Sequence, residues 1–191
     1  MVAATLAPAS WESLWAPYDQ GTYDFVLDRL EPGEVILDIG AGDLRLARQM
    51  APRVSLVYAI EINPDLNRTN RVDLPANLTL IEGDALELDF PPGITGGVLL
   101  MRHCTHFQEY AEKLRRAGAR RLFTNARWGM GVECVDLGAF RPPFEQIPFG
   151  WYACRCGKTG FKNGPVAQFT FANLEIDHQV SDCPACNSRY C

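Results

Sequence analysis

An α/β protein built on a mostly parallel sheet, with helices on both faces and a small cysteine-bearing appendage, is what this sequence predicts. Three observations carry that reading. Short apolar runs such as VILDI at 35–39 alternate with segments whose apolar residues recur at helical spacing. A glycine turn, Gly40-Ala41-Gly42, stands between the first run and the helix pattern that follows it. Beyond Gly150 the alternation gives way to two close cysteine pairs. At 191 residues the chain has room for one domain of ordinary size and a remnant, and its 47% hydrophobic content is enough to build a core.

Taken in order, residues 23–30 place Phe25, Val26, Leu27 and Leu30 at near-helical spacing, and Pro32-Gly33 breaks that helix. Residues 35–39 make the first strand. Leu44, Leu46, Ala47 and Met50 then mark a helix that runs until Pro52. The run VSLVYAIEI at 54–62 is a second strand, and Asn63-Pro64 is a helix start. Residues 78–81 form a third strand ending in Glu82-Gly83-Asp84-Ala85, and residues 98–101 form a fourth. Thr105 with Gln108 three residues on fits a capping box, opening a helix over 106–117 that stops at Gly118. Residues 121–125 complete the parallel set. Right-handed crossovers between such strands put ligands outside their carboxyl ends, so functional residues are sought just after strands. Residues 131–137 and 150–153 are expected to supply a closing antiparallel pair onto which the appendage is built. Phe169, Phe171 and Leu174 give the stretch 168–176 a strand-like, hairpin pattern.

Three acids follow three successive strands. Asp38 precedes the glycine turn, where Gly40 and Gly42 let the backbone pass close to a ligand. A nicotinamide-binding turn would carry glycine or alanine where this chain has Arg45, which argues against a dinucleotide. Glu61 stands about twenty residues beyond the turn, the place from which a carboxylate accepts ribose hydroxyls. Asp84 could accept from an exocyclic amine of adenine. Three carboxylates would repel a pyrophosphate, so the site suits a nucleoside whose remainder is neutral or cationic.

The segments VILDIGAGDLRLA, YAIEIN and LIEGDALEL resemble the class I S-adenosylmethionine-dependent methyltransferases, over roughly residues 20–127. The resemblance implies a Rossmann-like methyltransferase sheet with Asp38, Gly40 and Gly42 bordering the methionine part of S-adenosylmethionine, Glu61 the ribose, and Asp84 with the backbone at Ala85 the adenine. Many members carry a third glycine where this chain has Leu44. The family's donor methyl lies near the end of the fourth strand, which makes Arg102-His103-Cys104-Thr105-His106 the substrate mouth. His103 is the candidate base, its ordinary pKa suiting it to take a proton from an attacking oxygen or nitrogen; capping or packing is the other reading. Arg102, His106, Arg127 and Trp128 are expected on the substrate rim, with Trp128 stacking on a planar acceptor and Arg127 meeting an anionic one. The D/N-P-P-Y/F/W signature of amino-base methyltransferases does not stand after the fourth strand, and neither does a Pro-Cys pair of the cytosine-C5 type.

Cys154-x-Cys156 and Cys183-x-x-Cys186 have the spacing of a tetrahedral zinc site, and the tail resembles a zinc ribbon. A redox pair at Cys183 and Cys186 is the competing reading. Seven cysteines cannot all pair with one another, and Cys104, Cys134 and Cys191 are left over. Residues 1–150 are expected to form the cofactor-binding domain and residues 151–191 the ribbon.

Eighteen Lys and Arg against 23 Asp and Glu give a net charge of −5, so no strong general affinity for nucleic acid is expected. Arg115, Arg116, Arg120 and Arg121 read as a solvated face opposite the ligand site. The start lacks a leader pattern and no apolar run is long enough to span a membrane, which predicts a cytoplasmic protein. The expected function is methyl transfer to an acceptor that the sequence does not identify, RNA or protein being favoured over a small molecule because ribbons commonly make macromolecular contacts. A non-catalytic module that uses the ribbon to recruit a partner is the alternative.

Overall fold

Strands that read as continuous apolar runs, without polar alternation, belong in a sheet covered on both faces. The computed structural model describes residues 17–102, 104–129, 131–165 and 170–187. Helix α1 (Gln20–Leu27) precedes β1 (Val35–Ile39), followed by α2 (Arg45–Met50), β2 (Leu56–Glu61), α3 (Pro64–Asn70) and β3 (Leu78–Glu82). Then come β4 (Gly96–Leu99), α4 (Phe107–Ala117), β5 (Arg121–Thr124) and β6 (Glu133–Asp136). These strands form one sheet in the order β3-β2-β1-β4-β5-β6, with β6 the antiparallel edge. The winding reverses between β1 and β4, and a crevice opens at the carboxyl ends there.

Neighbouring residues of β1 serve opposite cores. Ile36 packs with Val26, Leu46 and Met50 of the α1 and α2 face. Leu37 packs with Tyr110, Leu114 and Leu122 on the α4 face. Phe107, Tyr110 and Leu114 line the buried stripe of α4, whose first turn carries Glu109 and whose last carries Arg115 and Arg116, in agreement with the helix dipole. The helix begins one residue later than a Thr105 cap would place it. His106 occupies the N-cap, no side chain caps the helix, and Gln108 bonds instead to Glu112.

A second sheet of three strands, ordered β8-β7-β9, follows: β7 (Gly150–Cys154), β8 (Thr159–Lys162) and β9 (His178–Val180). Residues 131–137 do supply the antiparallel strand β6, but 150–153 lie in this separate sheet and not beside it. Both edges of β7 are occupied by β8 and β9, and the segment expected to be strand forms a helical turn instead, α5 (Phe171–Leu174). Residues 166–169, with Phe169, lie outside the described residues. A last turn, α6 (Pro184–Asn187), carries the second cysteine pair. The small core joins Cys154, Val180 and Cys183 to Ile147, with Phe144 packed against it, so it draws on residues that precede Gly150. Among the described residues no helix is long and apolar enough to cross a membrane.

The close approach of α4 to β4 depends on Gly97. A Cβ there would lie 2.5 Å from Leu114 Cδ1 and 2.8 Å from its Cδ2, and Leu114 is fully buried. Gly97→Ala is expected to cost ~1–3 kcal/mol through overpacking, read as a lower urea midpoint at unchanged slope.

Candidate functional site

The glycine turn is held by backbone bonds before any ligand is considered. The N–H groups of Gly40 and Ala41 donate to the carbonyl of Ile60 at 2.9 and 3.0 Å, bending the chain over the end of β2. Gly40 and Gly42 have φ of +72° and +57°, which glycine adopts without steric cost. Leu44, at φ +63°, is also left-handed, at the position where the family often has glycine. Complete burial of its side chain offsets a strain of about 1–2 kcal/mol.

Glu61 ties two loops together. Its Oε2 accepts from Gly42 N–H at 2.7 Å and its Oε1 from Asn63 N–H at 2.8 Å. The Glu61 carbonyl accepts from Asn67 Nδ2 at 3.0 Å and from Gly83 N–H at 3.1 Å, which brings the end of β3 alongside. A cavity of about 290 Å³ opens here. Asp38, Gly40, Gly42 and Glu61 all line it, as do Asp43, Arg45 and the residues just after β4, Leu100 and Met101. Asp43 and Arg45 pair with each other, so the uncompensated charge of the cavity rests on Glu61 and, when ionised, on Asp38, both buried.

The other expected residues are distributed differently. Asp84 and Ala85 lie outside the lining of this cavity. Asp84 is half-buried and accepts Leu86 N–H at 2.8 Å, while Ala85 is buried in the α4 core. Their loop is fastened by Lys113, whose Nζ donates to the carbonyls of Ala85, Leu86 and Leu88 at 2.6–2.7 Å. Arg102 is exposed and lies 5.1 Å over the ring of Tyr18, a cavity residue. His106 is exposed near Glu109, and His103 lies outside the described residues. Trp128 is half-buried and meets Trp151 edge to face at 6.2 Å. Arg127 is not an open rim residue: its side chain is 1% exposed, forked onto the Glu133 carboxylate and bonded to Gln179 Oε1 at 2.9 Å. The sequence reading missed Tyr18, Tyr23 and Met101 as cavity walls, and no spacing in the sequence relates them to the turn. Met101 Cε and Sδ would each meet a Cβ at Gly40 at 3.3 Å, so the thioether roofs the turn closely.

At the far end of the chain four sulfurs converge. Cys154 and Cys186 are 3.5 Å apart, Cys156 and Cys183 3.8 Å, and Cys183 and Cys186 3.6 Å, with all four within 4.8 Å of one another. Disulfides would need about 2.05 Å. Ligands about 2.3 Å from a tetrahedral zinc stand about 3.8 Å from each other, close to the 3.5–3.8 Å of these three pairs. Each pair sits on a tight turn, closed by Gly157 N–H on the Cys154 carbonyl and by Cys186 N–H on that of Cys183, both at 3.0 Å. The donor set and its geometry therefore fit zinc.

A parallel sheet with a glycine turn after β1 and a buried acid at the end of β2 defines the fold of the class I methyltransferases. The chain belongs to the ribosomal RNA adenine dimethylase family, whose model matches residues 18–116. A probable ribosomal RNA small subunit methyltransferase A from Methanosarcina barkeri is 40% identical over 77 residues, covering 38% of this chain and 27% of that protein. The Pyrobaculum aerophilum protein of the same name is 33% identical over 151 residues, 68% of this chain and 65% of the relative. The chain thus spans about a quarter of the Methanosarcina relative's length. The crystal structure of the 23S rRNA methyltransferase ErmE superposes with a TM-score of 0.50 at 22% identity, over 56% of this chain and 46% of that one, a likeness of fold.

Asp38 has a measurable signature in the unliganded protein. Burial, and secondarily the charge of Glu61, pushes its carboxyl up to about 7 from 3.8. Between those values the folded state holds a proton that the unfolded state has lost, so stability falls as pH rises from about 4 to about 7. Urea titrations across this window should show that decline, and Asp38→Asn should flatten it. A parallel decline in the variant would assign the effect to another group.

Proposed function

We propose that the chain is an S-adenosylmethionine-dependent methyltransferase acting on RNA, with a structural zinc ion held by Cys154, Cys156, Cys183 and Cys186. The observation that carries the reading is the pair of buried carboxylates, Asp38 and Glu61, on a cavity formed by a left-handed glycine turn. When bound, the cofactor supplies an electrophilic methyl on a sulfonium. Its sulfonium and ammonium charges suit a cavity whose residual charge is negative. Glu61 keeps lone pairs for ribose hydroxyls while its carboxylate holds the two loops, and Asp38 serves the methionine end. Asp84, with the Ala85 backbone, is assigned to the adenine, on a loop that Lys113 holds in place.

The acceptor is assigned to RNA because the family and the relatives in the match are ribosomal RNA methyltransferases. The acceptor atom does not follow from the family's name. After β4 the chain reads Leu100-Met101-Arg102-His103, without the polar-Pro-Pro-aromatic signature of amino-base chemistry. His103 is the group we assign to receive a proton from the acceptor, and Arg102 and Trp128 the groups that border it. The zinc ion would supply folding energy to a small sheet whose buried core is Ile147 and Val180 with Cys154 and Cys183, and Phe144, Tyr152 and Ala185 packed against it.

Calorimetric titration with S-adenosylmethionine and S-adenosylhomocysteine should give one site per chain, and Asp38→Ala or Glu61→Ala should each weaken it by about tenfold or more. Failure of the folded protein to bind either ligand would remove the cofactor assignment. Radiolabelled methyl groups should enter RNA and not protein or small-molecule pools, and His103→Ala should lower turnover without weakening cofactor binding.

Purified protein should carry about one zinc per chain by elemental analysis. A Cys183→Ser/Cys186→Ser variant that kept its full zinc content would refute the metal site.

A further inference from the structure

A second cavity, of about 280 Å³, lies between α4, the chain that follows β6, and the cysteine-bearing sheet, away from the glycine turn. Four arginines line it, Arg115, Arg127, Arg141 and Arg155, against one carboxylate, Glu112. Two of the four are compensated: Arg127 by Glu133, and Arg155 by Glu112 at 2.6 Å. Arg115 and Arg141 make no ion pair among the described residues. Arg141 donates from Nη2 to the Asp136 carbonyl at 2.7 Å, while its Nε is buried without a partner. Burial, then the like charge of Arg127, lowers its pKa, with Arg155 adding to the shift and the carboxylate of Asp136 opposing it, so an anion beside the guanidinium would offset its desolvation. On the same wall Phe140 is 88% exposed.

Unpaired guanidinium groups beside an exposed aromatic ring match the chemistry of a nucleotide, whose phosphate takes the guanidinium fork and whose base takes the ring face. An acidic peptide would use the arginines and leave Phe140 without a role. We propose that this cavity binds a phosphodiester of single-stranded RNA, with Arg115 and Arg141 on the phosphate oxygens and Phe140 stacked on an adjacent base. The inference deepens the RNA reading above and rests on it. Of the arginines read from the sequence as a solvated face, Arg115 is the one this assigns to the RNA.

The test is fluorescence anisotropy of a labelled single-stranded oligoribonucleotide on the zinc-loaded full chain, over a range of salt concentrations. Arg115→Gln and Arg141→Gln should each reduce the log–log salt slope by about 0.7, and Phe140→Ala should weaken binding about tenfold. S-adenosylmethionine affinity should be unchanged in all three. Arg115 and Phe140 face solvent, so their variants carry the test should Arg141→Gln fail to fold. Inorganic phosphate should raise the melting temperature of the wild type, at matched ionic strength, more than that of Arg141→Gln.

Wild-type RNA binding that Arg115→Gln and Phe140→Ala leave unaltered in affinity and slope would overturn this site and leave the RNA acceptor standing. If phosphate protects the wild type but RNA neither binds nor is methylated, the cavity takes a small anion and both assignments fall. Binding of a glutamate-rich peptide in place of RNA would overturn the proposal in favour of a protein partner.

Discussion

The buried guanidinium of Arg127 is the interaction around which the two sheets are arranged. It leaves the end of β5, forks onto Glu133 at the start of β6, reaches Gln179 on β9, and stands 5.3 Å over the ring of Phe107 at the start of α4. A charge so deeply buried is tolerated only with its partners in place, and breaking such a pair costs about 3–5 kcal/mol. The arrangement therefore fixes β9 against the main sheet, and with it the cysteine cluster. Other contacts follow the same seam: Arg155 pairs with Glu112 of α4, Thr159 donates to the Arg127 carbonyl at 3.4 Å, and Gly157 packs so closely that a Cβ would meet Phe107 Cβ at 2.9 Å. The four-cysteine unit is thereby built against the main domain.

Two lysines do for the loops what Arg127 does for the sheets. Lys113 places its ammonium among three carbonyls of the loop after β3, and Lys162 does the same for Phe144, Glu145 and Ile147 at 2.9 Å. Each also faces an aromatic ring, Phe90 and Phe144 respectively. Three charge-assisted bonds from one side chain give order to segments without regular structure of their own. The first of these segments carries Asp84 and Ala85, so a helix residue outside the lining of the glycine-turn cavity positions part of the site assigned to adenine.

What the sequence showed was what short-range physics governs. The parallel strands are mostly apolar runs, so five of them could be read directly, and with them the acids at or just after their ends, Asp38, Glu61 and Asp84. The helix stop at Gly118 was legible for the same reason, a left-handed residue at φ +108°. Long-range pairing was hidden. Arg127 read as a rim cation because no spacing in the sequence marks either Glu133, six residues on, or Gln179, 52 residues away, as its partner. The absence of a glycine at Leu44 was visible, but its resolution was not: the left-handed conformation is kept, and burial offsets it. Phe171 and Leu174 have the residue types of a strand, yet β7 already has a partner on each edge.

The limits of the family match coincide with a physical division in the chain. The match ends at residue 116, inside α4, after every residue that lines the cofactor cavity. Arg127, Trp128, the exposed Phe140, Arg141 and the cysteine cluster all lie beyond it. The half shared with the family holds the buried carboxylates, whose negative charge suits a cationic cofactor. The half outside the match holds three of the four arginines of the second cavity, of which Arg127 and Arg155 are ion-paired and Arg141, among the described residues, is not, while Arg115 stands at the edge of the match. Bringing Arg115 and Arg141 to one cavity would let a chain of net charge −5 present a local anion site. A general excess of lysine and arginine would raise affinity for any nucleic acid, whereas guanidinium groups confined to one cavity favour a ligand that also fits its shape and its exposed ring. In this reading cofactor binding is common to the family, and recognition of the acceptor depends on how firmly Arg127 and the cysteine cluster hold the second half of the chain against the first.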